Sequence, residues 1–132
     1  MKDLVEKARL TSEFIIDSAA TSTEEIGNTP HRGTRRVLAE NGIACGDHRA
    51  RRINRSDAEA FDLIIGMDSA NIRNMRNALG ATAQGKIYKL MEFAESTDDV
   101  ADPWYTGDFE TTFNDVYAGC TELLAFCRKN LR

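Results

Sequence analysis

Proline is nearly absent from this chain, with two in 132 residues, and histidine is equally sparse at two. Three cysteines are too few, and odd in number, for a disulfide scaffold, so the expected setting is a reducing cytoplasm. No apolar run approaches the roughly 20 residues of a membrane span. The opening Met1-Lys2-Asp3-Leu4-Val5-Glu6-Lys7 is charged and amphipathic, unlike a secretory signal. There is no glycine-rich nucleotide fingerprint, no serine nucleophile elbow and no His/Cys/Asp grouping at metal-site spacing. The net charge of −4 argues against a dedicated nucleic-acid binder. Neither a membrane nor a nucleic acid is therefore an expected partner.

What remains is an ordinary globular composition, 42% hydrophobic and 29% charged, at a length that suits one domain over residues 1–132. No repeat, low-complexity tract or interdomain linker divides it. Met1, Leu4, Val5 and Ala8 share one helical face, with no capping residue before them. Phe14-Ile15-Ile16 predicts a strand buried on both faces, running to Asp17. A loop follows over residues 18–29. Thr29 and Pro30 then read as the N-cap and first residue of a helix closed by Asn41-Gly42.

Ser56-Asp57-Ala58-Glu59 has the pattern of a capping box. Asp62-Leu63-Ile64-Ile65-Gly66-Met67 is the clearest buried strand, and Asp68 caps the helix after it, which ends at Gly80. The last strand is expected over Lys86 to Leu90. The last helix runs from Asp108 to Leu131, its apolar stripe being Phe109, Phe113, Val116, Tyr117, Cys120, Leu123, Leu124 and Cys127. Strands at Phe14–Asp17, Leu63–Gly66 and Ile87–Leu90, alternating with helices, predict an α/β fold with a parallel sheet, against which Phe109, Phe113, Val116 and Leu124 of the last helix pack.

Several groups are chemically suggestive. In Asp102-Pro103-Trp104-Tyr105 the proline holds the aspartate extended. The two aromatics could wall a flat ring and shield the carboxyl, raising its pKa as a general acid requires. The plainer alternative is a surface turn. Arg49, Arg51, Arg52 and Arg55 could bind phosphate, but such clusters more often form a solvated face paired with acids such as Asp57 and Glu59. His48 beside them and His31 in a first helical turn read as structural and surface residues. Cys120 and Cys127, seven apart on one apolar stripe, read as core cysteines, roughly 10 Å apart along the helix and unable to bridge.

Cys45 and Arg51 have the Cys-x5-Arg spacing of a phosphate-cradling loop. The context is wrong. The cysteine follows a helix end rather than a buried strand, Asp47 would put a negative charge in the cradle, and no Ser or Thr follows Arg51. The match reads as accidental.

Four segments together carry a more specific signal. They are Asp17-Ser18-Ala19-Ala20-Thr21-Ser22 with Ile26-Gly27-Asn28; Gly42-Ile43 with His48-Arg49-Ala50-Arg51; Phe61-Asp62-Leu63-Ile64 with Met67-Asp68 and Asn71-Ile72-Arg73; and Asp102-Pro103-Trp104-Tyr105 with Phe109-Glu110 and Val116-Tyr117. In this order the chain resembles the low molecular weight protein-tyrosine phosphatases. The resemblance implies a three-layer α/β sandwich and hydrolysis of a phosphotyrosine protein or aryl phosphate through a cysteinyl-phosphate intermediate, without metal or cofactor.

It further implies that Asp102 is the general acid and that Trp104 and Tyr105 are the substrate-facing walls. Ser18 and His48 would support the phosphate loop. Glu24 stands where relatives often carry an aromatic at the cleft mouth. The family's first strand and Cys-x5-Arg-Ser loop have no counterpart in residues 1–132, so the domain is expected to lack its first central strand. By the resemblance, that strand would lie between residues 14–17 and 63–66. The expectation is a chain inactive alone and prone to self-association across the gap. Two alternatives remain: a non-catalytic binding module of the same fold, and an arsenate-reductase-like redox enzyme.

Overall fold

The computed structural model describes residues 1–21, 32–44 and 51–130, without the side chains of Trp104 and Tyr105. The elements in chain order are α1 (Lys2–Lys7), α2 (Arg32–Glu40), α3 (Arg55–Ala60), β1 (Ile64–Gly66), α4 (Ser69–Leu79), β2 (Ile87–Lys89), α5 (Pro103–Thr106) and α6 (Phe109–Asn130). A 3₁₀ segment, Leu90–Ala94, leads directly out of β2.

β1, α4 and β2 form a parallel crossover unit, with Ile64 opposite Ile87, Ile65 opposite Tyr88 and Gly66 opposite Lys89. The helix between them is bounded by local chemistry. The Asp68 side chain accepts the Asn71 N–H at 2.7 Å, capping the first turn. Gly80, at φ +65°, ends it in a conformation that suits glycine.

Alternation along β1 divides two cores. Ile64 packs with Ala58, Met75, Leu79 and Ala83. Gly66 lies on that same face, where an added Cβ would meet Ile72, Asn71 and Met75 at 3.0–3.1 Å. Leu63, Ile65 and Met67 point the other way, into a core of Leu90, Val100, Cys120, Leu123 and Cys127. Helices α3 and α4 thus cover one face of the sheet and α6 the other, giving three layers.

α6 approaches the 3₁₀ segment closely because Gly119 has no side chain. A Cβ there would stand 2.6 Å from Leu90 Cγ. Of the predicted apolar stripe, Cys120, Leu123 and Cys127 are buried, while Tyr117 is exposed. Phe109 does not face the sheet. Its ring covers Gly33 of α2 instead. Val116 belongs to the core beside the sheet, as does Phe126, which the sequence stripe omits. Leu124 lies outside that buried cluster. Cys120 and Cys127 are both free and buried, as read from their spacing.

Two expectations need correction. Residues 14–17 do not form a strand. Phe14 has extended dihedrals, φ −128° and ψ 137°, but among the described residues the sheet has only two strands. A run of apolar residues becomes a strand only when a neighbour accepts its backbone bonds, and here Ile15 is 87% exposed rather than buried on both faces. The cap of α3 is Asn54, not Ser56. Asn54 accepts the Ser56 N–H at 3.0 Å, and Asp57 reaches back to the Asn54 N–H at 2.9 Å. Thr29 and Pro30, read as the start of α2, lie outside the described residues, while Gly42, at φ +71°, follows its end as expected.

Among the described residues no helix is long and apolar enough to cross a membrane. No group of three or more metal-ligating side chains occurs among them either.

Candidate active site

The site residues lie in segments that leave the C-terminal end of the sheet or run beside it, where open parallel sheets hold their ligands. One wall is residues 17–20. Asp17 accepts the Ser18 N–H at 2.8 Å through Oδ1 and the Arg51 Nε–H at 3.1 Å through Oδ2. Ala20 makes an isolated parallel bridge to Arg52, donating to the Arg51 carbonyl at 2.6 Å and accepting from Ile53 at 2.8 Å. Ser18 is thereby held on an exposed segment fastened to the start of α3.

Arg51 is the pin. Its guanidinium forms a bidentate pair with Asp57, Nη1 to Oδ2 and Nη2 to Oδ1, both at 3.1 Å. Asp57 is 8% exposed and needs such a partner. The Arg51 guanidinium, ahead of the opposing effect of burial, holds the Asp57 carboxyl below the usual carboxylate range. Asp57 and Asp17 in turn raise the already high pKa of Arg51. The sequence pairs the arginine cluster with acids such as Asp57 and Glu59 on a solvated face; the structure pairs Arg51 with Asp57, which is buried, and with Asp17, which the sequence did not mark.

Asp102 ends a separate segment, which starts at Glu95. Val100 is 3% exposed and donates to the Met67 carbonyl at 2.8 Å, just past the end of β1. The Ala101 carbonyl accepts the Thr112 hydroxyl at 2.9 Å. Asp102 stands next, immediately before α5, and its carbonyl accepts the Thr106 N–H at 3.3 Å. Pro103 takes the first helical position, which needs no N–H. Asp102 is exposed, and the side chains expected to shield it, those of Trp104 and Tyr105, lie outside the described residues.

Lys89, Asp99 and Ser69 were missed altogether. The Lys89 ammonium donates to Asp99 Oδ1 at 2.8 Å and to the Thr97 carbonyl at 2.6 Å. The ammonium holds the Asp99 carboxyl below its ordinary range, with further help from Ser69. No local signal marks them: a lysine closing a strand resembles any surface lysine.

An apolar cleft of about 310 Å³ adjoins the first wall, lined among others by Met1, Leu4, Ile16, Ser18, Phe113 and Tyr117. Ser18 lines it and Asp102 does not. Asp102 is tied instead to the first turn of α6 through Ala101 and Thr112. His48 lies outside the described residues, as do His31, Glu24, Cys45 and Arg49, and so do the side chains of Trp104 and Tyr105.

The arrangement matches known proteins closely. The family model of the low molecular weight phosphotyrosine protein phosphatases matches residues 1–132. A low molecular weight protein-tyrosine-phosphatase of Bacillus subtilis, YfkJ, is 38% identical over 130 residues, covering 97% of this chain and 83% of the relative. The crystal structure of YfkJ superposes with a TM-score of 0.94 at 37% identity, covering 99% of this chain and 84% of that one. The Staphylococcus saprophyticus protein PtpA, of the same description, is 33% identical over 127 residues, covering 94% of this chain and 80% of its own. A protein tyrosine phosphatase structure from Entamoeba histolytica gives a TM-score of 0.90 at 25% identity, covering 99% and 86%. With its parallel sheet, its covering helices and its Asp-Pro-Trp-Tyr segment in place, the chain belongs to the low molecular weight protein-tyrosine phosphatase family.

Proposed function

We propose that this protein serves phosphotyrosine hydrolysis, with Asp102 protonating the leaving phenolate, and that residues 1–132 do not turn over an aryl phosphate by themselves. In this reading Trp104 and Tyr105 flank the substrate ring, and Ser18 and His48 brace the phosphate-binding loop. The reaction needs a thiolate to attack phosphorus, N–H donors for the equatorial oxygens and an acid for the leaving group. Only the acid has a counterpart in this sequence.

One observation carries the second half of the reading. Arg51, the arginine of the Cys45-x5-Arg51 pattern, is occupied by two carboxylates, Asp17 and Asp57. An arginine so engaged does not offer its fork to a phosphate dianion. The alternative redox reading lacks support, since Cys120 and Cys127 are buried in α6 and not on a segment that could carry a mobile pair.

The reading also includes an open sheet edge, between residues 14–17 and β1, where a strand bearing the Cys-x5-Arg-Ser loop belongs. The exposed Ile15 and the apolar cleft beside Ile16 support it. Left open, that edge favours self-association.

Hydrolysis of phenyl phosphate and nitrophenyl phosphate by the 132-residue chain tests the proposal. The expected result is no thiolate-dependent turnover, unchanged in Cys45→Ser. Robust hydrolysis abolished by that substitution would overturn it and make Cys45 the nucleophile. Adding a peptide with an apolar strand followed by Cys-x5-Arg-Ser is expected to restore turnover. In the restored enzyme Asp102→Asn should slow phenyl phosphate, the poorer leaving group, far more than nitrophenyl phosphate.

A further inference from the structure

The segment that carries Asp102 has no regular structure between Ser96 and Asp102, yet successive residues of it are fastened to different elements. The Thr97 carbonyl and the Asp99 carboxylate are held by Lys89, at the end of β2. Asp99 Oδ1 also accepts the backbone N–H and the hydroxyl of Ser69, at the start of α4, both at 3.1 Å. Val100 is bonded to Met67 and buried, and Ala101 is bonded to Thr112 of α6. We propose that Lys89, acting through Asp99 and Ser69, is a positioning residue that fixes where Asp102 stands relative to the sheet. The role assigned to Asp102 rests on the reading above; the clamp itself rests on geometry.

Three features separate this clamp from an ordinary surface ion pair. First, the Lys89 side chain is only 15% exposed, on a strand in register with β1. A lysine that withdrawn has little freedom left to lose on pairing. Second, an ammonium has three donors, and Lys89 directs them at Asp99, at the Thr97 carbonyl and, at 3.5 Å, at the Ser69 hydroxyl. No donor is left for a phosphate, so the charge serves the segment and not the substrate. Third, the partners come from the ends of β2 and α4, two elements of the parallel crossover unit. Asp99 completes the arrangement from the N-terminal side of α4, where the helix dipole favours a carboxylate.

Distance makes the consequence for Asp102 direct. It stands three positions after Asp99, a reach of about 10 Å if the chain were free. Displacement of a reacting group by about 1 Å is enough to slow catalysis roughly 100-fold. With residues 97, 99, 100 and 101 all tied, Asp102 has one backbone joint of freedom before α5 begins. Lys89 and Asp99 form a charged tie at the base of that series.

Amide hydrogen exchange, followed by NMR on the full 132-residue chain, tests the clamp without reference to turnover. In Lys89→Met, exchange at Val100, Thr106 and Gly107 should rise roughly five- to tenfold, while Ile64 and Leu79 keep their protection. Lys89→Arg should recover most of it, and Ser69→Ala, which removes one hydroxyl, should give a smaller rise. Unchanged exchange at Val100 and Thr106, or a rise matched at Ile64 and Leu79, would overturn the proposal. In the peptide-restored enzyme, Lys89→Met should lower kcat for phenyl phosphate more than for nitrophenyl phosphate, with KM unchanged. Equal losses on both substrates would sink the link between clamp and acid. A leaving-group effect absent from Asp102→Asn itself would sink the reading of Asp102 and leave the exchange result standing.

Discussion

The β1–α4–β2 unit and the segment from Phe14 to Ala20 are built from similar residues and end in opposite states. Ile64 is 8% exposed and Leu79 1%, each with a helix or strand against it. Ile15 lies in an equally apolar run and is 87% exposed. Apolar side chains do not by themselves make a core: burial needs a partner surface, and backbone groups need a ladder. The first region has both from its own neighbours in sequence. In the second, Phe14 packs against the core beside the sheet while Ile15 faces outward, and the far end is held by polar ties, Arg51 to Asp17 and Arg52 to Ala20.

The comparison is tested most severely in the packed region. Leu79 is 1% exposed and sits among Ala58, Ile64, Met75 and Ala83. Leu79→Ala should therefore lower unfolding stability by about 2–5 kcal/mol, read from urea denaturation midpoints. A loss below about 1 kcal/mol would mean that this core is looser than its burial indicates.

A smaller effect is expected where the two regions are joined. Arg51 bridges Asp57 of the packed side and Asp17 of the open side. The Asp57 carboxyl is held below its ordinary value of 3.8 by the guanidinium. Protonation is thus harder in the folded chain than in the unfolded one. The pair's contribution is fully present above the ordinary carboxylate range and is lost as pH falls through the lowered folded value. Asp57→Asn should cost about 1–3 kcal/mol at neutral pH, from the lost charge-assisted bonds. The gap between wild type and variant should close on acidification below pH 3.8. A gap independent of pH would show that the charge on Asp57 does not account for the loss.

The same contrast governs what could be read in the sequence. β1, α4 and β2 were legible because their signals are local: a run of apolar residues, Asp68 before the helix and Gly80 after it. α3 was legible as a helix with its cap misplaced by two residues. Asn54 and Ser56 are both good caps, and only the reach of Asp57 back to the Asn54 N–H decides between them. Residues 14–17 were misread because strand formation depends on a neighbour the run itself does not reveal. At the site, Asp102 was marked by its motif, and it stands on an exposed position just before α5. Lys89, Asp99 and Ser69 left no trace, being 10 and 20 residues apart in pairs that only the fold brings together.

The smallest expected effect is the most telling for the proposed open edge. Ile15→Lys replaces a large apolar side chain by a charged one, a change that within a buried strand costs several kcal/mol. At 87% exposure the side chain has almost no burial to lose. The folding stability of the isolated chain should stay within about 0.5 kcal/mol of wild type, as for other surface positions. If, as proposed, an unpaired edge lies beside Ile15, sedimentation should at the same time show less self-association, because a lysine there discourages pairing with another chain. A loss of more than about 1.5 kcal/mol would mean that Ile15 is covered in solution. If that loss also varied with protein concentration, the cover would be a second copy of the chain, since only intermolecular burial makes stability depend on concentration. If it did not, the cover would come from within the chain. The contrast between the two regions would then be one of distance along the sequence, and not of burial.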